Sequence, residues 1–267
     1  MLSLIGGGGA LSKKGALNVP DWATSYSLRK IIEGIAGAFL IAAALLTPFL
    51  RRWRTRWGAT GEEVNRNLPG DELVPEPRWG WTHAVTIRAA TSEVWPWLVQ
   101  MGQGRGGLYS YEFLENLVGC ALYNADSIVP ELQVLRQGDI VRLNATIGLP
   151  VALVEPRRAL VLNARVDMQS RKPFDPTGAK PDGYINLSWA WFLEEVRGGT
   201  RLLSRWRADY SPSLANRLAF GPLMVEPASF AMDRKMLMGI KQRAEALARR
   251  SREQRAAGAV SSERAAS

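Results

Sequence analysis

Cysteine and histidine are almost missing from this chain: Cys120 and His83 are the single examples of each among 267 residues. One cysteine excludes an internal disulfide framework. One histidine excludes His-rich zinc sites and any relay that needs a second imidazole. No metal and no cofactor are therefore expected. Cys120 reads as a small buried hydrophobe, and His83, at the head of an expected strand, as a structural or surface residue. Internal repeats are lacking too. The formal charge of +9 invites a nucleic-acid reading. The basic residues, however, gather beside an apolar run (Arg51, Arg52, Arg54, Arg56) and between Arg234 and Arg255. Neither group forms a stripe interleaved with exposed aromatics, so nucleic acid is not an expected partner.

What is present begins with an apolar run. Ile31 to Leu50, IIEGIAGAFLIAAALLTPFL, carries a single charge, Glu33. Twenty helical residues rise about 30 Å, the thickness of a bilayer's hydrocarbon layer. No polar face appears at helical spacing, and RRWRTRW follows in place of a cleavage site. The run predicts a single transmembrane helix over 29–51, after a flexible segment 1–28 that includes Gly6 to Gly9. Arg51, Arg52, Arg54 and Arg56 outweigh Arg29 and Lys30, a margin that Lys13 and Lys14 narrow. They place the C-terminal side in the cytoplasm, which in a bacterium means the inner membrane. Trp53 and Trp57 suit the interfacial belt. A linker rich in Gly, Pro and acids covers 52–80.

From Trp81 the pattern is that of a folded domain. Thr82 to Ala90 alternates as a strand, and Thr91 or Ser92 then caps a short helix with Val94, Trp95, Leu98 and Met101 inward. A second short helix, YSYEFLENLVGC, puts Phe113, Leu114, Leu117 and Val118 on one face. Between the two helices stand Gly102, Gly104 and Gly107 in G-x-G-x-x-G spacing, with the acid Asp126 about twenty residues on. A dinucleotide turn needs a buried strand running into its first glycine. Here a capped helical segment containing Pro96 precedes it, so the stretch reads as a connector with Gln103 and Arg105 at its tip.

Strands follow at IVRLNA and in a hairpin around Glu155-Pro156-Arg157-Arg158. The clearest hairpin runs YINLSWAWFLEEVRGGTRLLSRWRADY, with Gly198-Gly199 as its two-residue turn. Counting outward sets Trp191 opposite Trp206, Trp189 opposite Ala208 and Leu187 opposite Tyr210. One face is apolar and aromatic. The other carries Arg205 and Arg207, expected in solvent or paired with Glu194 and Asp209. A long helix presents Met232, Met236, Ile240, Ala244 and Leu247 at three-and-four spacing. A polar tail, 253–267, reads as disordered.

This order of elements, with THAVTIRAATSEVWPWLVQMG at its head and GGTRLLSRWRADY near its end, resembles the START-like or SRPBCC superfamily, which includes the polyketide cyclases/dehydrases. WPWLVQMGQGRGGLYSYEFLEN is similar to a bacterial, often membrane-anchored branch. The resemblance spans 81–252 and implies an α+β helix-grip fold: a curved antiparallel sheet around a long C-terminal helix, enclosing a cavity for an apolar ligand. Trp189, Trp191, Trp206, Met232, Met236 and Ile240 are the expected lining. Gln103, Arg105, Tyr109, Tyr111 and Asn124 are the expected polar contacts, with Asp126 beside them.

Three functions remain open at this point. The first is a membrane-anchored module that binds a hydrophobic small molecule or lipid without catalysis. The second is a cyclase- or dehydratase-like enzyme on an aromatic or polyketide-like substrate, with Tyr109, Tyr111, Asp126 and His83 as the available acids and bases. The third is a structural or partner-binding protein whose core is filled.

Overall fold

In chain order the protein consists of α1 (Leu28–Leu46), α2 (Arg51–Arg54), α3 (Gly61–Asn65), β1 (Trp79–Ile87), α4 (Thr91–Val99), α5 (Glu112–Leu117), β2 (Ile140–Arg142), β3 (Gly148–Glu155), β4 (Ala159–Asp167), β5 (Tyr184–Val196), β6 (Gly199–Tyr210), α6 (Leu214–Phe220) and α7 (Val225–Ala266). The computed structural model describes residues 27–175 and 178–266. The expected flexible segment 1–28 falls almost wholly outside them. The six strands form one antiparallel sheet in the order β1-β6-β5-β4-β3-β2. One face of it meets α4 and α7, giving a mixed α+β architecture of the helix-grip kind.

The alternation of the strands decides the packing. Val85, Ile87, Leu160, Leu162, Trp191, Leu193 and Leu202 point to the helices and join Val94, Trp97, Leu98, Met236, Leu237 and Ile240 in the main core. The opposite face is covered as well. Leu68 and Leu73, from the segment read as a linker, pack on Ala84, Val161, Phe192 and Leu203. Arg205 is therefore 4% exposed, not solvated, and pairs with Asp71 at 2.5 Å rather than with Glu194 or Asp209. Arg207 donates to the Val74 carbonyl at 2.8 Å. The linker belongs to the fold because the polar back of the sheet needs its carboxylates and carbonyls.

The β5–β6 turn is Arg197-Gly198, with Val196 opposite Gly199, so Trp189 faces Trp206 and Trp191 faces Ser204. This differs by two residues from the expected register. A two-residue shift keeps each side chain on its face and changes only its cross-strand partner. The cause lies in the two glycines. Gly198 adopts φ +86°, while Gly199 is already a strand residue whose Cβ would lie 2.0 Å from the Ile87 carbonyl oxygen.

The single transmembrane helix over 29–51 does not form. Helix α1 ends at Leu46, and the chain bends by 93° into Pro48–Arg54. Proline disfavours helical backbone in the residue before it, here Thr47 (φ −122°, ψ 59°), and has no N–H to continue the ladder. Among the described residues no single helix is long and apolar enough to cross a membrane. Instead α1 lies against the domain. Gly34 and Gly37 let it approach Phe113 and Tyr111. Lys30–Glu112 (2.7 Å), Glu33–Lys235 (2.9 Å) and the buried Arg54–Glu226 pair (2.8 Å) hold it and α2 in place.

The tail expected to be disordered continues α7 to Ala266. Its Ala, Arg, Glu and Gln content favours helix, and no proline interrupts it.

Candidate functional site

The register places three indoles in a row across the inner face of the sheet: Trp81 opposite Trp206, and Trp206 opposite Trp189. Trp81 and Trp206 stack with centroids 5.3 Å apart, and Trp189 meets Trp206 edge-on at 6.2 Å. Above them α7 contributes Val225, Ala228, Ser229, Met232, Asp233 and Met236, residues that recur at helical spacing along one face. Leu108, Ser110, Glu115 and Leu143 complete the wall of a cavity of about 310 Å³. Its lining holds two acids and no lysine or arginine.

The acids differ. Asp233 is fully engaged: Oδ2 lies 2.6 Å from His83 Nδ1 and Oδ1 accepts from Ser204 Oγ at 2.8 Å. His83 Nε2 lies 2.9 Å from the Arg54 carbonyl oxygen, so both ring nitrogens face oxygen acceptors. This network is buried and ties β1, β6 and α7 to α2. Glu115 is 4% exposed, and its Oε2 has no hydrogen-bond partner. Burial raises its pKa to about 7; the Ser110 hydroxyl pulls it back and the neighbouring Glu112 carboxyl adds to the rise. Trp81 and Trp206 also have buried indole N–H groups without an acceptor in the protein.

A second, polar cleft of about 190 Å³ lies between α1, the Tyr109–Glu112 segment and α7. Ser110 lines both spaces. Of the residues selected from sequence, Gln103 and Arg105 line neither space, and the others divide between the two spaces and the core. Trp189, Trp206, Met232 and Met236 line the apolar cavity. Trp191 and Ile240 belong to the filled core beneath it. Tyr109, Tyr111, Asn124 and Asp126 line the polar cleft.

The polar contacts expected from sequence have structural partners. Tyr109 donates to the Trp97 carbonyl at 3.0 Å, and burial pushes its phenol well above the usual range. Asn124 Oδ1 accepts from the Tyr109 N–H at 2.6 Å. Gln103 donates to the Cys120 carbonyl at 2.6 Å, and Arg105 to those of Val99 and Leu132 at 3.1 and 2.8 Å. The glycine loop closes on itself: Gly102 and Gly107 exchange N–H···O bonds of 2.9 and 3.1 Å. Gln103, Arg105 and Gly106 donate to the Arg142, Gly102 and Gln100 carbonyls, so these amides are not available to an anion.

Most of the other cavity residues escaped the sequence reading, among them Trp81, Asp233 and Glu115. Trp81 stood at the expected domain edge, although β1 starts at Trp79 and carries it onto the inner face. Asp233 could have been found as the acid that shares a helix face with Met236 and Ile240. Glu115 was hidden by the α5 pattern, in which Leu117 and Val118 look inward. In the structure these two are 72% and 77% exposed, while Glu112 and Glu115 are buried. Among the described residues no cluster of three or more His, Cys, Asp or Glu is placed to hold a metal ion.

No protein-family model matches the chain, and no curated protein matches it. Solved structures do. A hypothetical protein from Helicobacter pylori aligns at 16% identity and a TM-score of 0.38, over 70% of this chain and 99% of its own. The di-domain ARO/CYC BexL from the BE-7585A biosynthetic pathway aligns at 16% and 0.37, over 65% of this chain and 53% of its own. A Polyketide_cyc-like protein from Corynebacterium glutamicum aligns at 14% and 0.25, over 66% and 92%. These are likenesses at low identity, and nothing about ligand or reaction passes from them to this chain.

Proposed function

We propose that the protein is a START-like, membrane-associated module that binds a hydrophobic small molecule or lipid in the cavity between the tryptophan row and the first turns of α7. The observation that carries this reading is the cavity of about 310 Å³ walled by Trp81, Trp189, Trp206, Met232 and Met236. Rigid indoles offer wide apolar contact, and methionine adapts to irregular shape. An open volume of that size speaks against a filled, purely structural core. The test is native mass spectrometry of the full chain purified in mild detergent, followed by thermal shift with a lipid panel. A co-purified apolar species or a shift supports the reading; neither would sink it.

Membrane association in this proposal is in-plane. On α1, Gly34, Gly37 and Ala44 face the domain, whereas Leu28, Ile32, Ile35, Phe39 and Leu46 face outward. A helix that turns its bulky apolar side away from the protein calls for another apolar medium. Phe49, Leu50 and Trp53 extend this surface, and exposed Arg29, Arg51, Arg52 and Arg56 flank it, matching the anionic lipids of a cytoplasmic leaflet. Spanning the bilayer upright would submerge the charged α5 and α7 surfaces that α1 packs on. Cosedimentation with vesicles of neutral and anionic lipid checks this. Equal absence of binding to both would refute it.

A cyclase- or dehydratase-like activity is favoured by one observation: Glu115, an acid whose pKa burial raises to about 7, is among the residues lining the cavity. Tyr109, Tyr111, Asp126 and His83 do not line it. If this second reading holds, turnover of an aromatic ketone panel by the intact protein disappears in Glu115→Gln while binding persists. No turnover in the wild type would remove it.

A further inference from the structure

The outward apolar side of α1 does not end with the helix. Past Thr47 it continues through exposed Phe49, Leu50 and Trp53. Trp53 meets Phe230 of α7 edge-on at 5.8 Å, and Arg54 pairs with Glu226 in the first turn of the same helix. Directly before that turn stand Leu223 and Met224, 68% and 56% exposed. Before them α6 turns Leu214 and Leu218 outward. Ser213 caps α6, and the Trp79 indole donates to the Phe220 carbonyl at 2.7 Å, so these side chains are held out by a fixed support. The residue after Met224 is Val225, which lines the apolar cavity. Trp189, Trp206, Val225, Ala228 and Met232 of the cavity wall are half-buried, not buried. The cavity therefore opens to the surface, and the α6–α7 turn borders it.

We propose that α1, the Phe49–Trp53 turn and the α6–α7 turn form one surface that lies on an anionic bilayer. The cavity mouth sits at its edge, so an apolar ligand passes between lipid and cavity without crossing water. This rests on the reading of α1 as an in-plane helix and of the cavity as a ligand site; it adds a second contact and a route of loading. Charge names the occupant. From Leu45 to Trp57 there are four arginines and no acid, and from Ser211 to Met224 one arginine, Arg217, and no acid. The next acid, Glu226, is buried against Arg54. Exposed apolar side chains among exposed Arg51, Arg52, Arg56 and Arg217 match acyl chains beneath anionic headgroups. A molecule that leaves a bilayer through water exposes its apolar surface on the way, and a mouth held against lipid avoids that step.

Two measurements on the full chain test this. In a Cys120→Ser background, Phe39→Cys, Met224→Cys or Arg197→Cys carries an environment-sensitive fluorophore. Arg197 lies at the far end of the sheet, beyond the pairing of Ile87 with Thr200. Phosphatidylglycerol vesicles with nitroxide-labelled acyl chains should quench the labels at 39 and 224 and leave that at 197 unchanged. Quenching at 39 without 224 overturns the proposal and leaves the α1 reading standing. Quenching at neither removes both. A dimer that shields position 224 in the absence of vesicles assigns the surface to a second copy and overturns the proposal. The second measurement follows pyrene from vesicles into the protein by energy transfer from tryptophan. Its rate should rise with protein concentration, whereas release through water proceeds at a fixed rate. Leu223→Glu combined with Met224→Glu should slow transfer about tenfold, while pyrene affinity in mild detergent persists. A rate indifferent to protein concentration, or unchanged in the double variant, overturns direct loading. If pyrene binds in neither medium, the ligand site falls and this route with it.

Discussion

His83 Nδ1 and Asp233 Oδ2 lie 2.6 Å apart, and the two side chains are 1% and 2% exposed. The contact joins the first strand of the sheet to the long helix beside the cavity. Removing one member of such a pair leaves the other buried without its partner. His83→Ala should therefore destabilise the protein by about 3–5 kcal/mol, measured by chemical denaturation. A loss below about 1 kcal/mol would place the pair among incidental contacts.

Glu115 should make stability depend on pH in a definite direction. Its folded pKa of about 7 exceeds its ordinary value of 4.5, so the folded state holds the proton more tightly than the unfolded one. Its unfavourable contribution is absent below about pH 4.5, grows as pH rises to about 7, and is constant above; the full span is about 3 kcal/mol. The stability difference between wild type and Glu115→Gln, compared at about pH 5 and about pH 8, should change by that order. A difference that is flat across this range contradicts the burial argument.

Ala228 is a small residue on the cavity wall. Ala228→Trp should fill part of the void and abolish ligand-induced thermal shifts, while leaving stability within about 1–3 kcal/mol of wild type. Retained ligand response would place the ligand elsewhere.

Arg105 separates two meanings of the glycine loop. Its guanidinium holds the Val99 and Leu132 carbonyls together and does not line the apolar cavity. Arg105→Ala should cost about 1–3 kcal/mol of stability and leave ligand affinity unchanged. The opposite outcome would restore the loop as a pocket rim.

Phe39 and Leu46 lie on the outer face of α1, 72% and 80% exposed. Changing both to Glu should remove most vesicle binding, with stability shifted by no more than about 0.5 kcal/mol, because neither packs on the domain. Unchanged vesicle binding would exclude this face.

The sheet, the long helix and four cavity residues were legible because strand and helix periodicities leave strong signals. Trp189 and Trp206 kept their face through a two-residue error in register, since side chains alternate with period two. What stayed hidden depended on contacts distant in sequence. Glu115 turns inward because α1 docks over α5 and occupies Phe113, which no local pattern encodes. Arg205 looked solvated because its acceptors, Asp71 and the carbonyls of Glu63 and Arg66, come from a segment resembling a linker. The apolar run over 31–50 gave the right composition and the wrong geometry. Hydropathy does not show that its glycines face a protein or that Thr47 and Pro48 form an elbow.

Helix α7 carries one further consequence. Its buried positions in the main core extend from Met236 to Ala248, while 252–257 are exposed. Hydrogen bonds beyond the core rest mainly on the intrinsic helix preference of an alanine- and arginine-rich sequence, which is marginal in water at that length. One continuous helix should thus exchange its amide protons at two rates. Exchange should be slow up to Ala248, where opening requires unfolding of the domain, and fast toward Ala266, where it requires only fraying.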